Sequence, residues 1–192
     1  VIIFASGVSN SLETDEKCFV REKNLINATT KANPSKKLIY FSTCSIDDQS
    51  VNSRPYVQHK KSIEDFIAVI SNNYIIFRLS NLVGKGGNKN TIFNYLVSSI
   101  KENKTVNIWK NASRNLLDVT DLYLAVREVL KEDAIANEVV NLANTRSFLI
   151  PEIVIEIEKF LNKKAIVNVE YKGTLVDIDI SRTERILNHV LG

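Results

Sequence analysis

Apolar residues recur along this chain in two alternating rhythms. Short runs at Val1–Phe4, Leu38–Phe41, Tyr74–Leu79, Val106–Trp109, Val139–Leu142 and Ile166–Tyr171 read as strands. Between them the spacing predicts helices. One covers Asp15–Lys31, with Phe19, Leu25 and Ile26 at helical intervals. A second covers Pro55–Ile70, with Pro55 in its first turn and Ile63, Phe66, Ile67 and Ile70 on one face. Others are predicted over Thr91–Lys101, Asp121–Leu130 (capped by Thr120), Pro151–Leu161 and Ser181–Val190. Strand–helix alternation at this spacing argues for βαβ units and a parallel sheet, at least through residue 80. The glycines at 84, 86 and 87 mark the best boundary between that sheet and a less regular second half.

Composition narrows the class only a little. A chain of 192 residues with ordinary apolar and charged fractions is a globular domain, or one and a half. No apolar run approaches the length of a membrane span. The basic residues are scattered in short pairs such as Lys36-Lys37, Lys60-Lys61 and Lys163-Lys164, a solvated surface rather than a nucleic-acid footprint. Cys18 and Cys44 lack metal-ligand spacing and read as free thiols in a reducing cytoplasm.

The chemistry concentrates in "LIYFSTCSIDD" and "PYVQHKKSIED". Thr43 stands just past a predicted strand, at the sheet edge where open parallel sheets bind ligands. Tyr56 and Lys60, four apart on a predicted helix, share a face. A lysine ammonium beside a tyrosine favours the phenolate, so the spacing predicts a lowered Tyr56 pKa. Such a tyrosine exchanges a proton with a substrate hydroxyl or carbonyl, and a nearby Thr hydroxyl holds the same oxygen. With six tyrosines and many lysines, Y-x-x-x-K also arises readily by chance, as an exposed pair on an amphipathic helix.

The order of motifs is more specific than any one of them. "VIIFASGVSNS", "YFSTCS", "YVQHKKSIE", "FRLSNLVGKG" and "SRNLLDVTDLYLAV" follow one another collinearly. Together they resemble the extended short-chain dehydrogenase/reductase family of NAD-dependent sugar-nucleotide epimerases, dehydratases and reductases. "VVNLANTRSFLIPEIVIEIEKFL" and "DISRTERILNHVLG" are similar to that family's C-terminal half. The resemblance implies an α/β fold, an incomplete Rossmann-like doubly wound parallel sheet. Residues 1–84 would carry its catalytic Thr, Tyr and Lys. Residues 85–192 would form mainly a smaller α/β substrate-binding region, with some segments returning to the sheet.

It also implies roles. Tyr56 would be the acid/base, Lys60 would hold the nicotinamide ribose, and Thr43 would orient the sugar oxygen. Ala5, Ser6, Gly7 and Ser42 would line the NAD or NADP, where small residues let backbone approach. Asn81 and Arg114 would meet the diphosphate of a nucleotide-sugar partner, for which a guanidinium is suited. Asn107 and Trp109 would line the base. The plain alternatives are a turn-forming Asn81, a surface salt bridge at Arg114 and a core Trp109. Glu64 reads as pairing with Lys60 on the helix, and His59 as surface. The helices Asp15–Lys31 and Pro55–Ile70 are candidates for a homodimer contact.

Two departures shape the expectation. Dehydratases of this family carry Asp-Glu directly after the catalytic Thr, and here Cys44 and Ser45 stand there. Epimerisation or 4-keto reduction is therefore preferred to dehydration. The glycine-rich dinucleotide turn is also missing from the six glycines present. The resemblance places about 60–70 further residues, two to three βα units, ahead of Val1. A fragment that does not by itself bind NAD(P) tightly is expected. The alternative is a non-catalytic nucleotide-sugar-binding or regulatory module from the same family.

Overall fold

A computed structural model describes residues 1–86, 91–132 and 135–191; the loop glycine at 87 lies outside them. The elements in chain order are β1 (Ile2–Phe4), α1 (Glu16–Ala32), β2 (Leu38–Thr43), α2 (Pro55–Ile70), β3 (Tyr74–Leu79), β4 (Asn81–Val83), α3 (Ile92–Lys101) and β5 (Thr105–Trp109). Then come β6 (Ser113–Arg114), β7 (Leu116–Asp118), α4 (Val119–Val129), β8 (Glu138–Leu142), β9 (Phe148–Leu149), α5 (Ile150–Leu161), β10 (Ile166–Glu170) and α6 (Glu184–Leu191).

The main sheet runs β1-β2-β3-β8, all parallel. Its central strands β2 and β3 are apolar on both faces because both are covered. On one face Ile26 of α1 and Ile63 and Ile67 of α2 pack on Leu38, Tyr40 and Ile76. On the other, Ala125 and Val129 of α4 and Ile186 and Leu187 of α6 pack on Ile39, Phe77, Val140 and Leu142. Segments from both sides of β8 in the chain build a second core. There α3 and α5 close over Val106 and Ile108 of β5, which pairs in parallel with β10. Two short ladders, β4 with β7 and β6 with β9, stitch this part to the ends of the main sheet.

Local chemistry sets the element ends. Asp15 caps α1 by accepting from the Lys17 amide at 2.9 Å. Helix α2 has no side-chain cap and begins on Pro55, which gives up no amide bond there. Helix α4 starts earlier than its pattern suggests: Asp118, not Thr120, is the cap, and its carboxylate accepts from the Thr120 amide at 2.7 Å. An acidic side chain serves that place well against the helix dipole. Helix α6 begins at Glu184 rather than at residue 181. Thr183 instead turns its hydroxyl to the Asn141 carbonyl at 2.7 Å, which ties the last helix to β8. Among the described residues, no helix is long and apolar enough to cross a membrane.

Candidate active site

Thr43 is the last residue of β2 and caps a 3-10 turn, Cys44–Ile46, by accepting from the Ser45 amide at 3.2 Å. Its hydroxyl also lies close enough to Tyr56, in the first turn of α2, to favour the ionised phenol. Both side chains are buried. The structure thus joins the Thr and Tyr expected from sequence at the C-terminal end of a central strand. Ser42, just before, is buried, and its hydroxyl has no partner among the described residues. A buried orphan hydroxyl at this edge fits a polar ligand group.

Lys60 also lies at this corner but spends its charge elsewhere. Its ammonium donates to Tyr40 Oη at 2.8 Å, Glu22 Oε1 at 3.1 Å and the Phe41 carbonyl at 3.4 Å. Three donors are all an ammonium has. It stands 5.9 Å from the centre of the Tyr56 ring. The expected lowering of the Tyr56 pKa is therefore overturned. Burial, and then the negative charge of Glu22, push the phenol up to about 12, and the nearby Thr43 hydroxyl offsets only part of this. Burial also lowers the Lys60 pKa, against the pull of Glu22.

Glu22 is the residue that sequence reasoning missed. It is 0 % exposed on α1. Oε2 accepts from the Val8 amide at 2.7 Å and meets His59 Nε2 at 2.9 Å, while Oε1 accepts from Tyr40 Oη at 2.6 Å and from Lys60. Burial alone would raise its pKa, but the bonds from His59, Lys60, Tyr40 and Val8 hold the carboxyl down to about 2. His59, expected at the surface, is 8 % exposed, and its ring stacks on Phe19 at 4.3 Å. The available signal was a charged residue on the Phe19–Glu22–Ile26 stripe of an otherwise amphipathic helix.

The loop Ala5, Ser6, Gly7 follows β1 beside this carboxylate. Arg21 donates to the Ser6 carbonyl at 3.1 Å. A Cβ on Gly7 would sit 2.7 Å from Glu22 Oε1 and 3.0 Å from Lys60 Nζ. Close approach of the ion pair therefore explains this glycine by itself.

Glu64 does not pair with Lys60. It faces the end of β3, where Arg78 Nε donates to Oε1 at 3.0 Å and Nη2 to Oε2 at 2.7 Å. Arg78 Nη1 reaches Asp47 at 2.9 Å. The buried Cys44 thiol, pushed up to about 12 by burial and by Asp47, donates to the Arg78 carbonyl. A cleft of about 450 Å³ opens beside it, between Asp47–Ser50 and the strap Thr174–Asp179.

Asn81 opens β4 rather than making a turn, and both its amide and its Nδ2 donate to the Asn115 carbonyl, at 3.2 and 3.1 Å. Asn115 is buried. It donates to the Asn144 and Arg146 carbonyls and accepts from the Asn144 amide at 2.8 Å. These bonds fix the backbone beneath Arg114, which is half-buried and forms no ion pair among the described residues. Burial lowers its pKa, countered by Asp48 and deepened by Arg54. Asn81 is thus bonded to the residue next to Arg114, and Arg114 lies within electrostatic reach of Asp48 and Arg54, in the segment that leads into Tyr56.

Asn107 and Trp109 are not brought to that corner. Both point from the exposed face of β5, where Asn107 accepts from Asn168 Nδ2 at 3.2 Å and Lys172 stands over the Trp109 ring at 4.5 Å. Trp109 is 43 % exposed and not a core residue.

The family model described as NAD dependent epimerase/dehydratase family matches residues 1–143. A search of curated protein sequences finds no match. Among solved structures, UDP-glucuronic acid 4-epimerase from Bacillus cereus, in complex with UDP-glucuronic acid and NAD, is similar with a TM-score of 0.78 at 20 % identity. That alignment covers 96 % of this chain and 68 % of the other. dTDP-glucose 4,6-dehydratase from Bacillus anthracis, in complex with NAD, gives 0.71 at 17 % identity, covering 92 % and 64 %. A Bordetella bronchiseptica enzyme in complex with NAD and UDP gives 0.73 at 16 % identity, covering 97 % and 66 %. The chain therefore spans about two thirds of the length of these proteins and shares their Rossmann-like fold.

Proposed function

This chain belongs to the NAD dependent epimerase/dehydratase family, and from that premise we propose that it carries the chemical centre of an NAD(P)-dependent nucleotide-sugar epimerase or 4-keto-reductase. The observation that carries the reading is the meeting of the buried Thr43 and Tyr56 side chains at the C-terminal end of β2. Solved relatives of the same fold hold NAD with UDP-glucuronic acid, or NAD with UDP, which supports a nucleoside-diphosphate sugar as substrate.

When bound, the nicotinamide supplies and accepts the hydride. The unpartnered Ser42 hydroxyl and the loop Ala5–Ser6–Gly7 would hold its edge. Lys60 would offer a ribose hydroxyl the proton it now gives the Phe41 carbonyl, the longest of its three bonds. Tyr56 moves the proton at the sugar oxygen, and Thr43 holds that oxygen in place. A phenol held near 12 is a proton donor at neutral pH. That suits the reductive direction, in which a sugar carbonyl oxygen collects a proton. Arg114 and Asn81 bind the diphosphate; Asn107 and Trp109 are assigned to the base on family likeness alone.

Dehydration is disfavoured. Cys44 is buried with its thiol on a carbonyl, and the nearest following carboxylate, Asp47, is held by Arg78. Neither is a free acid or base beside Thr43.

The test is Tyr56→Phe in the intact gene product, assayed with NAD or NADP and a panel of UDP- and dTDP-sugars. The rate falls at least about 100-fold, the usual worth of a positioned acid/base group, while sugar-nucleotide affinity stays. An unchanged rate removes Tyr56 from the role. Binding with no turnover in either form favours the non-catalytic binding module.

A further inference from the structure

We propose that Glu22 is a positioning residue: a single buried carboxylate on α1 that aims the Lys60 ammonium away from Tyr56 and so sets how readily Tyr56 gives up its proton. The inference rests on the reading of Tyr56 as the proton carrier.

The geometry is unusual for a helix carboxylate. Glu22 accepts from four donors belonging to three different segments: the Val8 amide after β1, Tyr40 on β2, and His59 and Lys60 on α2. Both oxygens are fully used. Lys60 is 2 % exposed and directs every proton at Glu22, Tyr40 or the Phe41 carbonyl, and none at Tyr56. Its burial shields the ammonium from solvent, so the carboxylate is its anchor. Gly7 completes the device, because a side chain there would collide with Glu22 Oε1 and crowd Lys60 Nζ.

The charged and titratable groups facing Tyr56 come from each packed element. They are Glu22 and Cys18 on α1, Tyr40 and Thr43 on β2, and Lys60 on its own helix. Of these, Glu22 opposes the phenolate, the Thr43 hydroxyl favours it, and the Lys60 ammonium would favour it if turned toward it. With Glu22 neutral, both the repulsion and the tether vanish, and the ammonium is free to serve the tyrosine oxygen. A carboxylate is thus placed where it sets the protonation of a tyrosine that it does not touch.

The test is NMR titration of the chain with ring-labelled tyrosine, the Tyr56 signal being identified by Tyr56→Phe. In Glu22→Gln, Tyr56 loses its proton at least tenfold more readily than in the unaltered chain. Glu22→Asp, which keeps the charge, stays within about threefold. In Glu22→Gln with Lys60→Met the shift is reversed by more than half, because the released ammonium is its source. Simple loosening of the corner would leave the shift in the double variant, and that result overturns the proposal. So does an unshifted Tyr56 in a folded Glu22→Gln. Should Glu22→Gln not fold, ring-nitrogen NMR of His59 in the unaltered chain decides. The proton must lie on Nε2, bonded to Glu22, and a bare Nε2 overturns the arrangement.

No cofactor or turnover enters these readings. If Tyr56→Phe keeps its rate while the titration shifts, the acid/base reading falls and Glu22's control of Tyr56 stands. If Tyr56 is essential and its titration does not shift, only Glu22 is removed.

Discussion

Two arginines mark two differently built regions of this molecule. Arg78, at the end of β3, is saturated: Glu64 takes its Nε and Nη2, and Asp47 takes its Nη1. Arg114, on β6, is half-buried, and its Nη1 donates to the Ser113 carbonyl at 2.6 Å. The α2 side of the site is closed by carboxylates in the same way, with Glu22 on Lys60 and Glu64 on Arg78. The Asn81–Arg114 side is held by backbone and amide bonds through Asn115, and its cation has no ion pair among the described residues, Asp48 acting on it only from a distance. Burying a charge costs energy unless it is paired. A region that pairs every charge is built for rigidity, whereas one that leaves a guanidinium open has a place for an anion from outside.

The largest effect separates the two arginines by stability. Arg78→Ala strands Glu64, whose side chain is 3 % exposed, as an unpaired buried carboxylate. Loss of one partner of a buried pair costs about 3–5 kcal/mol. Arg114→Ala strands no charge and stays within about 1 kcal/mol of the unaltered chain. Urea unfolding of both variants measures this. Equal losses would dissolve the distinction between the regions.

Acid provides a second cut. The Glu22 carboxyl is held at about 2 against an ordinary value near 4.5. A depressed folded-state pKa means that the unfolded chain binds the proton first. The stabilisation is therefore complete above 4.5 and is lost as pH falls through about 2. At 1.36 kcal/mol per unit this is roughly 3 kcal/mol. In urea unfolding across this range, the unaltered chain loses that much relative to Glu22→Gln, so their stabilities converge. Parallel curves would mean that Glu22 is not the charged anchor of the α2 side.

How legible these regions were in the sequence differs for physical reasons. Helix α2 and strand β3 were readable to the residue, since Pro55 sets one start and apolar periodicity does the rest. The main parallel sheet followed from strand–helix alternation. The strands β4, β6, β7 and β9 were not readable, because two or three residues carry no period. Helix α4 was read with Thr120 as its cap, because Asp118 offers an equally good capping side chain two residues earlier. The Thr43–Tyr56 contact was legible from motif order. Glu22 and His59 were not, because a charged residue within a mixed helix face reads as solvated until the partners from other segments are known. The same blindness assigned Glu64 to Lys60, its neighbour one turn away, when the fold gives it Arg78 from another strand.

The smallest effect tests the open side directly. Arg114→Gln keeps the length and hydrogen-bonding capacity of the side chain but removes the charge and the planar fork. A guanidinium on a diphosphate makes charge-assisted, bidentate bonds, roughly twice the strength of neutral ones. Loss of the charge should weaken UDP-sugar binding about tenfold, equivalent to about 1.4 kcal/mol. Affinity for the bare nucleoside, uridine, should not change, because it has no phosphate to lose. Ligand-observed NMR with uridine, UDP and a UDP-sugar reads all three on one sample. A tenfold loss for UDP and UDP-sugar but not uridine assigns Arg114 to the diphosphate. A uniform loss would mean that Arg114 shapes the loop beneath Asn81 instead, and the contrast with Arg78 would shrink to one of burial alone.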